Sequence, residues 1–434
     1  MNESVPTVVR RPSATGGVAR VSISDFKGVE RLELAIPRRR SSKGAPCLMI
    51  LGENAVGKSS VLQGIALAII GGSQARRLRV PVDDFLRNRS GDRWDLLEPH
   101  DAEVSVGFQF QSDVAHFHLD AGRHRISLEH QPSAIILGYG PRRFFDRRRS
   151  AKGDGAYRRV QTLFQPTATI PYPGTWLNEL DDREFDQVAQ VLRIVLSLEE
   201  DDQLVRDLDR RICVNLRGQP VPVEWLSEGY RSIFVMVADI LRELTPNYNS
   251  LEEAEAIVLI DEIETHLHPR WKMRVVSSLR RALPNVQFIM TTHDPLCLRG
   301  MDDGEIVVLQ RGPDGSIAQL QDLPSIKGMR ADQLLTSDYF GLASTVDPQA
   351  ELDVARYVEA VSRLPIGDGA QANELVSRLM IGDDAREQVI HEALDRFIDE
   401  RDRPTGQLRT DVREEAVKAV LAALLDDGDT PMTA

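Results

Sequence analysis

"CLMILGENAVGKSSVLQGIALAII", residues 47–70, is the stretch on which the fold turns. Its first five residues are uninterruptedly apolar, as in a strand buried on both faces. A glycine turn follows, then a helical run over 58–70 that Gly71 and Gly72 are placed to close. Between strand and helix, Gly52, Gly57, Lys58 and Ser59 complete the pattern G-x-x-x-x-G-K-[ST]. The glycines let consecutive backbone N–H groups of Glu53, Asn54, Ala55 and Val56 curl around phosphate oxygens, with Ser60 next on the helix. Lys58 then reaches the β- and γ-phosphates, Ser59 ligates Mg²⁺, and the helix turns its positive N-terminus on the same anion. A chance lysine in a glycine-rich turn would spell the same letters. The flanking strand and helix, which the mechanism requires, favour the phosphate site.

Three further segments suit that chemistry. "AIVLIDEIE" (256–264) is an apolar strand ending in Asp261 and Glu262, at the edge where parallel α/β sheets place ligands. Asp261 is the candidate Mg²⁺ ligand beside Ser59, and Glu262 the base that accepts a proton from attacking water. "FIMTTHDP" (288–295) ends another buried strand at His293, placed to contact the γ-phosphate or steer the water; alone, such a histidine is more often a packed imidazole. "LSEGYRS" (226–232) sets a turn directly before an apolar helix. Ser227 suffices as a helix cap there, so the turn is either a cap or part of a site.

"LSEGYRS" resembles the signature loop of ABC-type ATPases, Leu-Ser-Gly-Gly-Gln, with matches at Leu226, Ser227 and Gly229 and departures at Glu228 and Tyr230. Its place between the phosphate loop and the acidic strand is the order of that class. The stretches "SISDFKGVERLELAI", "LGENAVGKSSVLQGIA", "LSEGYRSIFVMVADIL", "IVLIDEIETHLHPRW" and "ADQLLTSDYFGLASTVDP" together resemble the AAA-21 or OLD-like branch of ABC ATPases, over roughly residues 18–348. That branch includes the ATPases of Septu-type and retron-associated anti-phage systems. The resemblance implies an α/β fold: an ABC-type P-loop head, with a mixed sheet core and an antiparallel β subdomain. It implies Phe26 and Lys27 near the nucleotide base, and His268 in a loop facing a second subunit. It also implies a homodimer with two composite ATP sites, in which Ser227 and Gly229 of one copy close over the nucleotide of the other. Glu228, awkward beside a triphosphate, should point away or find a basic partner. A glutamine loop is to be sought around "GFQFQ" or "ILGYG". The function implied is a Mg·ATP-driven switch that controls an effector, a separately encoded nuclease or toxin, in anti-phage defence. The alternative is a RecF-like, DNA-clamping repair ATPase.

The rest of the chain bounds these readings. The predicted layout is a loose tail over 1–17, the ATPase head over 18–347 and a helical accessory region over 348–434. A basic loop and helical insertion occupy about 141–215 of the head, with helical periodicity over 183–210. The strand-like segments of 103–138 read as an antiparallel succession. Long coiled coils are missing between the phosphate motifs, so no long-armed tether is expected; the acidic pairs of the tail sit at helix edges, so a nuclease activity is expected of a partner. The 434 residues carry a net charge of −13, so nucleic acid would need a local basic patch. "PRRFFDRRRSAKGDGAYRRV" (141–160) holds seven Arg and one Lys against two Asp. Arg142, Arg143, Arg147, Arg148 and Arg149, with Phe144, Phe145 and Tyr157, are its candidate contacts, against a plain solvated loop. "RRLR" (76–79) is a second, smaller patch. His266 and His268 form a "HLH" pair that reads as a dimer contact before a zinc site. Three scattered cysteines fit a reducing, cytoplasmic setting, and no apolar run is long enough to span a bilayer.

Overall fold

The computed structural model describes residues 16–36, 44–87, 100–110, 112–127, 134–146, 155–199, 202–207, 209–216, 218–312 and 316–342. The chain divides into two units, Met1–Ala343 and Ser344–Ala434, and every described residue belongs to the first. The helical region expected over 348–434, most of the expected tail and Arg147 to Arg149 lie outside the described residues.

A hairpin opens the fold. β1 (Val18–Phe26) and β2 (Val29–Ala35) pair antiparallel, and their alternating residues Val21, Ile23, Leu32 and Leu34 all face inward. β3 (Cys47–Gly52) then runs into α1 (Lys58–Ala75). This helix passes through Gly71, whose φ of 73° kinks it, and continues beyond the expected stop. β4 (Ala102–Phe108), β5 (Val114–Asp120) and β6 (Arg125–Ile126) extend the hairpin into an antiparallel sheet of order β2-β1-β4-β5-β6.

β7 (Ile136–Tyr139) leaves that sheet. The sequence reading placed it in the antiparallel succession, yet it pairs parallel with β13 (Ile257–Ile260) at the edge of a second sheet. The correction has a visible cause: Ile136 to Tyr139 are all buried, the mark of a strand covered on both faces and not of a half-solvated one.

A small subdomain separates β7 from β13. β8 (Phe145–Asp146) pairs with β9 (Ile170–Pro171) around α2 (Ala156–Val160), and α3 (Pro173–Glu179) leads to α4 (Asp182–Val195). Asp181 and Glu184 start α4 with a capping box. Helical periodicity suggested a longer helix, but Ser197 turns left-handed at φ 49°, and the chain from Gln203 is strand. β10 (Gln203–Arg206), β11 (Ile212–Leu216) and β12 (Gln219–Pro222) form an antiparallel sheet ahead of α5 (Glu228–Leu244). α6 (Pro269–Ala282), β14 (Gln287–Thr291), β15 (Ile306–Arg311), β16 (Ile317–Gln319) and α7 (Ala331–Thr336) complete the described fold.

The central sheet has the order β16-β15-β3-β14-β13-β7 and is parallel except for β16. One face, with Leu48, Ile50, Leu259 and Ile289, packs on α1, which the antiparallel sheet covers from behind. The other face, with Met49, Val258, Phe288 and Met290, packs in one core with residues of α4, α5 and α6. α1, enclosed between two sheets, is therefore apolar most of the way round. Because β3, β14, β13 and β7 run the same way, Gly52, Thr291, Ile260 and Tyr139 all end at one sheet edge, where ligands bind in such folds. Among the described residues no helix is long and apolar enough to cross a membrane.

Candidate functional site

The phosphate loop leaves β3 at this edge. Gly57, at φ 102°, turns the chain into α1 in a conformation that a side chain would strain. Glu53, Asn54 and Ala55 are exposed, Val56 anchors the loop in the core, and Ser59 presents its side to solvent at the start of the helix. Lys58 is only 6% exposed and donates through Nζ to the carbonyls of Gly52 and Glu53, each at 2.8 Å. Burial lowers its pKa, while the carboxylates of Asp261, Glu262 and Glu264 act in the opposite sense. The lysine and the acidic turn, some 200 residues apart in the chain, thus share one electrostatic neighbourhood.

The acidic turn is braced from below. Thr291, 0% exposed at the end of β14, donates through Oγ1 to Asp261 Oδ1 at 2.6 Å and accepts the Glu262 N–H at 2.8 Å. The Asp261 N–H donates to the Tyr139 carbonyl at 2.8 Å, tying the turn to β7. Glu262 stands at φ 47°, a left-handed conformation unusual for a non-glycine residue. Its Oε2 accepts from Thr265 Oγ1 at 3.3 Å. The backbone N–H of His293 donates to Glu264 Oε1 at 2.6 Å, and the imidazole itself is exposed.

The serine turn ahead of α5 resolves differently from an ordinary cap. Ser227 is the N-cap residue, yet its side chain makes no capping hydrogen bond and is exposed. Gly229 is fixed by close approach: a Cβ there would meet the His266 carbonyl at 2.4 Å. Glu228 finds its basic partner within the chain, His266 Nε2 at 3.6 Å. The serine turn and the loop after the acidic strand therefore pack as one unit. α5 itself is tied to the sheet by the Tyr139 hydroxyl, which donates to Asp239 Oδ2 at 2.9 Å.

Two expectations, those for Phe26 and Arg143, need correction. Phe26 is 0% exposed and lies in an aromatic cluster with Phe85 and Phe117, so it cannot touch a nucleotide base. Lys27, half-buried, sets its Nζ 5.7 Å from the centroid of the Phe85 ring, and burial lowers its pKa. Arg143 is no surface contact for nucleic acid. It is 2% exposed beneath the acidic turn, where Nη2 donates to the carbonyls of Asp261 at 2.6 Å and Glu262 at 2.8 Å. Burial lowers its pKa to about 10 against the pull of Glu264, Asp261 and Glu262. Arg142 remains exposed. The segment "ILGYG", which holds no glutamine, meets the acidic turn at the Tyr139 carbonyl, and Arg143 follows it by three residues. His268 caps α6, its Nδ1 accepting from the Arg270 N–H at 3.4 Å, and no cluster of three metal-ligating side chains occurs among the described residues. The second basic patch meets the first in space: the Arg77 guanidinium lies 4.6 Å from the Tyr157 ring centroid, beside a cavity of about 540 Å³.

The family described as "AAA domain, putative AbiEii toxin, Type IV TA system" matches residues 47–299, from the phosphate strand to beyond His293. The chain belongs to this AAA_21 family. The described residues of this AAA_21 chain form the expected α/β fold, with a mixed core sheet and an antiparallel β subdomain. It is 32% identical over 343 residues to the Septu protein PtuA of Bacillus mycoides, an alignment covering 77% of this chain and 46% of that one. The retron Ec83 probable ATPase of Escherichia coli is 41% identical over 104 residues, 23% of this chain and 19% of that one. The chain thus spans less than half the length of these curated relatives. The SMC head domain of Thermotoga maritima aligns with a TM-score of 0.42 at 14% identity, over 70% of this chain and 98% of that one.

Sequence reasoning passed over Thr291 and misread Arg143. "TTH" after an apolar strand did carry a signal, since polar residues that continue a buried strand need partners. Nothing local marks which arginine of "PRRFFDRRR" turns inward.

Proposed function

We propose that this chain binds and hydrolyses Mg·ATP and acts as a dimeric switch over a partner effector in anti-phage defence. The observation that carries the reading is the convergence of the Lys58 loop and the Asp261–Glu262 turn at one edge of the parallel sheet, supported by an exposed N-cap residue, Ser227, whose hydroxyl is not used as a cap. Lys58 already sits on the loop carbonyls, from which a short swing brings its ammonium to a β- or γ-phosphate. The donors suit Mg²⁺, because the Ser59 hydroxyl and the Asp261 carboxylate are the hard oxygen ligands this ion prefers. Bound there, the ion would neutralise charge on the β- and γ-phosphates. Glu262 accepts the proton of the attacking water, and the exposed His293 imidazole orients the γ-phosphate side. Ser227 and the N-terminus of α5 in the second copy close the site, with the helix dipole favouring the triphosphate. The effector role is drawn from the likeness to Septu and retron ATPases.

The test uses the purified full chain. Lys58→Ala should abolish binding of a fluorescent ATP analogue, and Glu262→Gln should bind it without hydrolysis. Glu262→Gln should also dimerise on adding Mg·ATP, read by light scattering, and Ser227→Ala should not. Wild-type turnover by Glu262→Gln would remove the assignment of the base. A monomer that stays monomeric with trapped ATP would remove the switch.

A further inference from the structure

Arg143 is the residue in this molecule whose surroundings ask for an explanation. A guanidinium taken out of water costs several kcal/mol and is ordinarily matched to a carboxylate. Arg143 instead gives both hydrogen bonds of one nitrogen to main-chain carbonyls, those of Asp261 and Glu262. Among the described residues its buried Nε and Nη1 have no hydrogen-bond partner, nor does the buried Glu264 Oε2 nearby. The arrangement is poor for stability, since unmet buried donors each cost about 1–3 kcal/mol.

It is well suited to another end. Glu262 stands in a left-handed conformation that the chain holds only if neighbours over-determine it. Thr291 grips the turn on its N–H side and Arg143 on its carbonyl side. An arginine bonded directly to the Asp261 or Glu262 carboxylate would occupy the oxygens that chemistry needs. Bonded to the carbonyls, it fixes the same two residues without itself taking a carboxylate oxygen. β7 lies parallel beside β13, so the chain leaving β7 passes under the turn, which is why a residue 118 positions away supplies the grip.

We infer that Arg143 is a positioning residue for ATP hydrolysis, a carbonyl clamp that aims the Asp261–Glu262 carboxylates from beneath. The inference rests on the ATPase reading above.

Arg143→Lys and Arg143→Met in the full chain test it, with melting, ATP-analogue affinity and steady-state turnover measured on each. A displacement of about 1 Å costs on the order of a hundredfold in rate. The Met variant should lose about that factor in kcat while its affinity for the analogue stays within about threefold. The Lys variant, whose ammonium still donates to carbonyls, should recover part of the loss. Should Met fail to fold, the same comparison of kcat with affinity in the Lys variant decides. Turnover within about threefold of wild type in a folded Met variant would overturn the inference while leaving the ATPase reading intact. So would parallel loss of kcat, affinity and melting temperature, or failure of both variants to fold, since either makes Arg143 a merely structural residue. A wild-type chain that hydrolyses no ATP would remove the reading and this inference together.

Discussion

Thr291 offers a sharp test of how the acidic turn is held. Its hydroxyl serves two groups at once, accepting the Glu262 N–H at 2.8 Å and donating to the Asp261 carboxylate at 2.6 Å, in a fully buried position. Thr291→Val keeps the shape and deletes the hydroxyl. The Glu262 N–H is then left unmet, at about 1–3 kcal/mol, and the carboxylate loses a charge-assisted bond of about 1.5–3 kcal/mol. A total of about 2.5–6 kcal/mol follows, in the upper tail for single substitutions. Thr291→Ser is the control, keeping the hydroxyl and losing one buried methyl, worth about 1 kcal/mol. Urea unfolding should therefore put Val below Ser by at least about 1.5 kcal/mol. Turnover should survive in Ser and fall by about a hundredfold in Val, because the carboxylates lose their aim. If Val proves as stable as Ser, or turns over as fast, the hydroxyl does not brace the turn and the account of the acidic edge fails.

Three other outcomes are expected. Ser227→Ala should change stability by less than about 0.5 kcal/mol, below the ~1 kcal/mol typical of a lost cap, because the side chain makes no capping bond; a larger loss in urea unfolding would show that it does. Gly229→Ala should separate α5 from the loop at His266, whose carbonyl lies 2.4 Å from the new Cβ, and cost about 1–3 kcal/mol; an unchanged unfolding midpoint would contradict the close approach. Cys47, Cys213 and Cys297 are all buried, and burial pushes each thiol up, so thiolate is scarcer than in free cysteine at pH 8. A thiol reagent should find none of the three until the protein is unfolded, and rapid labelling of the native chain would disprove their burial.

Legibility differed by the range of the interaction. The phosphate loop was readable because glycine turn, lysine and helix start are neighbours in the chain and obey a fixed spacing. The buried strands 47–51 and 256–260, and Phe288 to Met290 of β14, were readable because full burial writes itself as an unbroken apolar run. β7 carries the same signature and was misassigned, since an apolar run says that a strand is covered without saying which strand lies beside it. The left-handed Ser197 that ends α4 likewise leaves no mark in the periodicity.

The sequence alone therefore marked the glycine–lysine loop between a buried strand and a helix, which local backbone chemistry specifies, and the fold class through its family resemblance. Only the tertiary structure decided the fates of Arg143, Phe26 and Ser227. One charged side chain went beneath the acidic turn, one aromatic into the core, and one cap residue kept its hydroxyl unspent. Those outcomes depend on which strands become neighbours, and strand order is set by packing across the whole sheet, far beyond the reach of any local pattern.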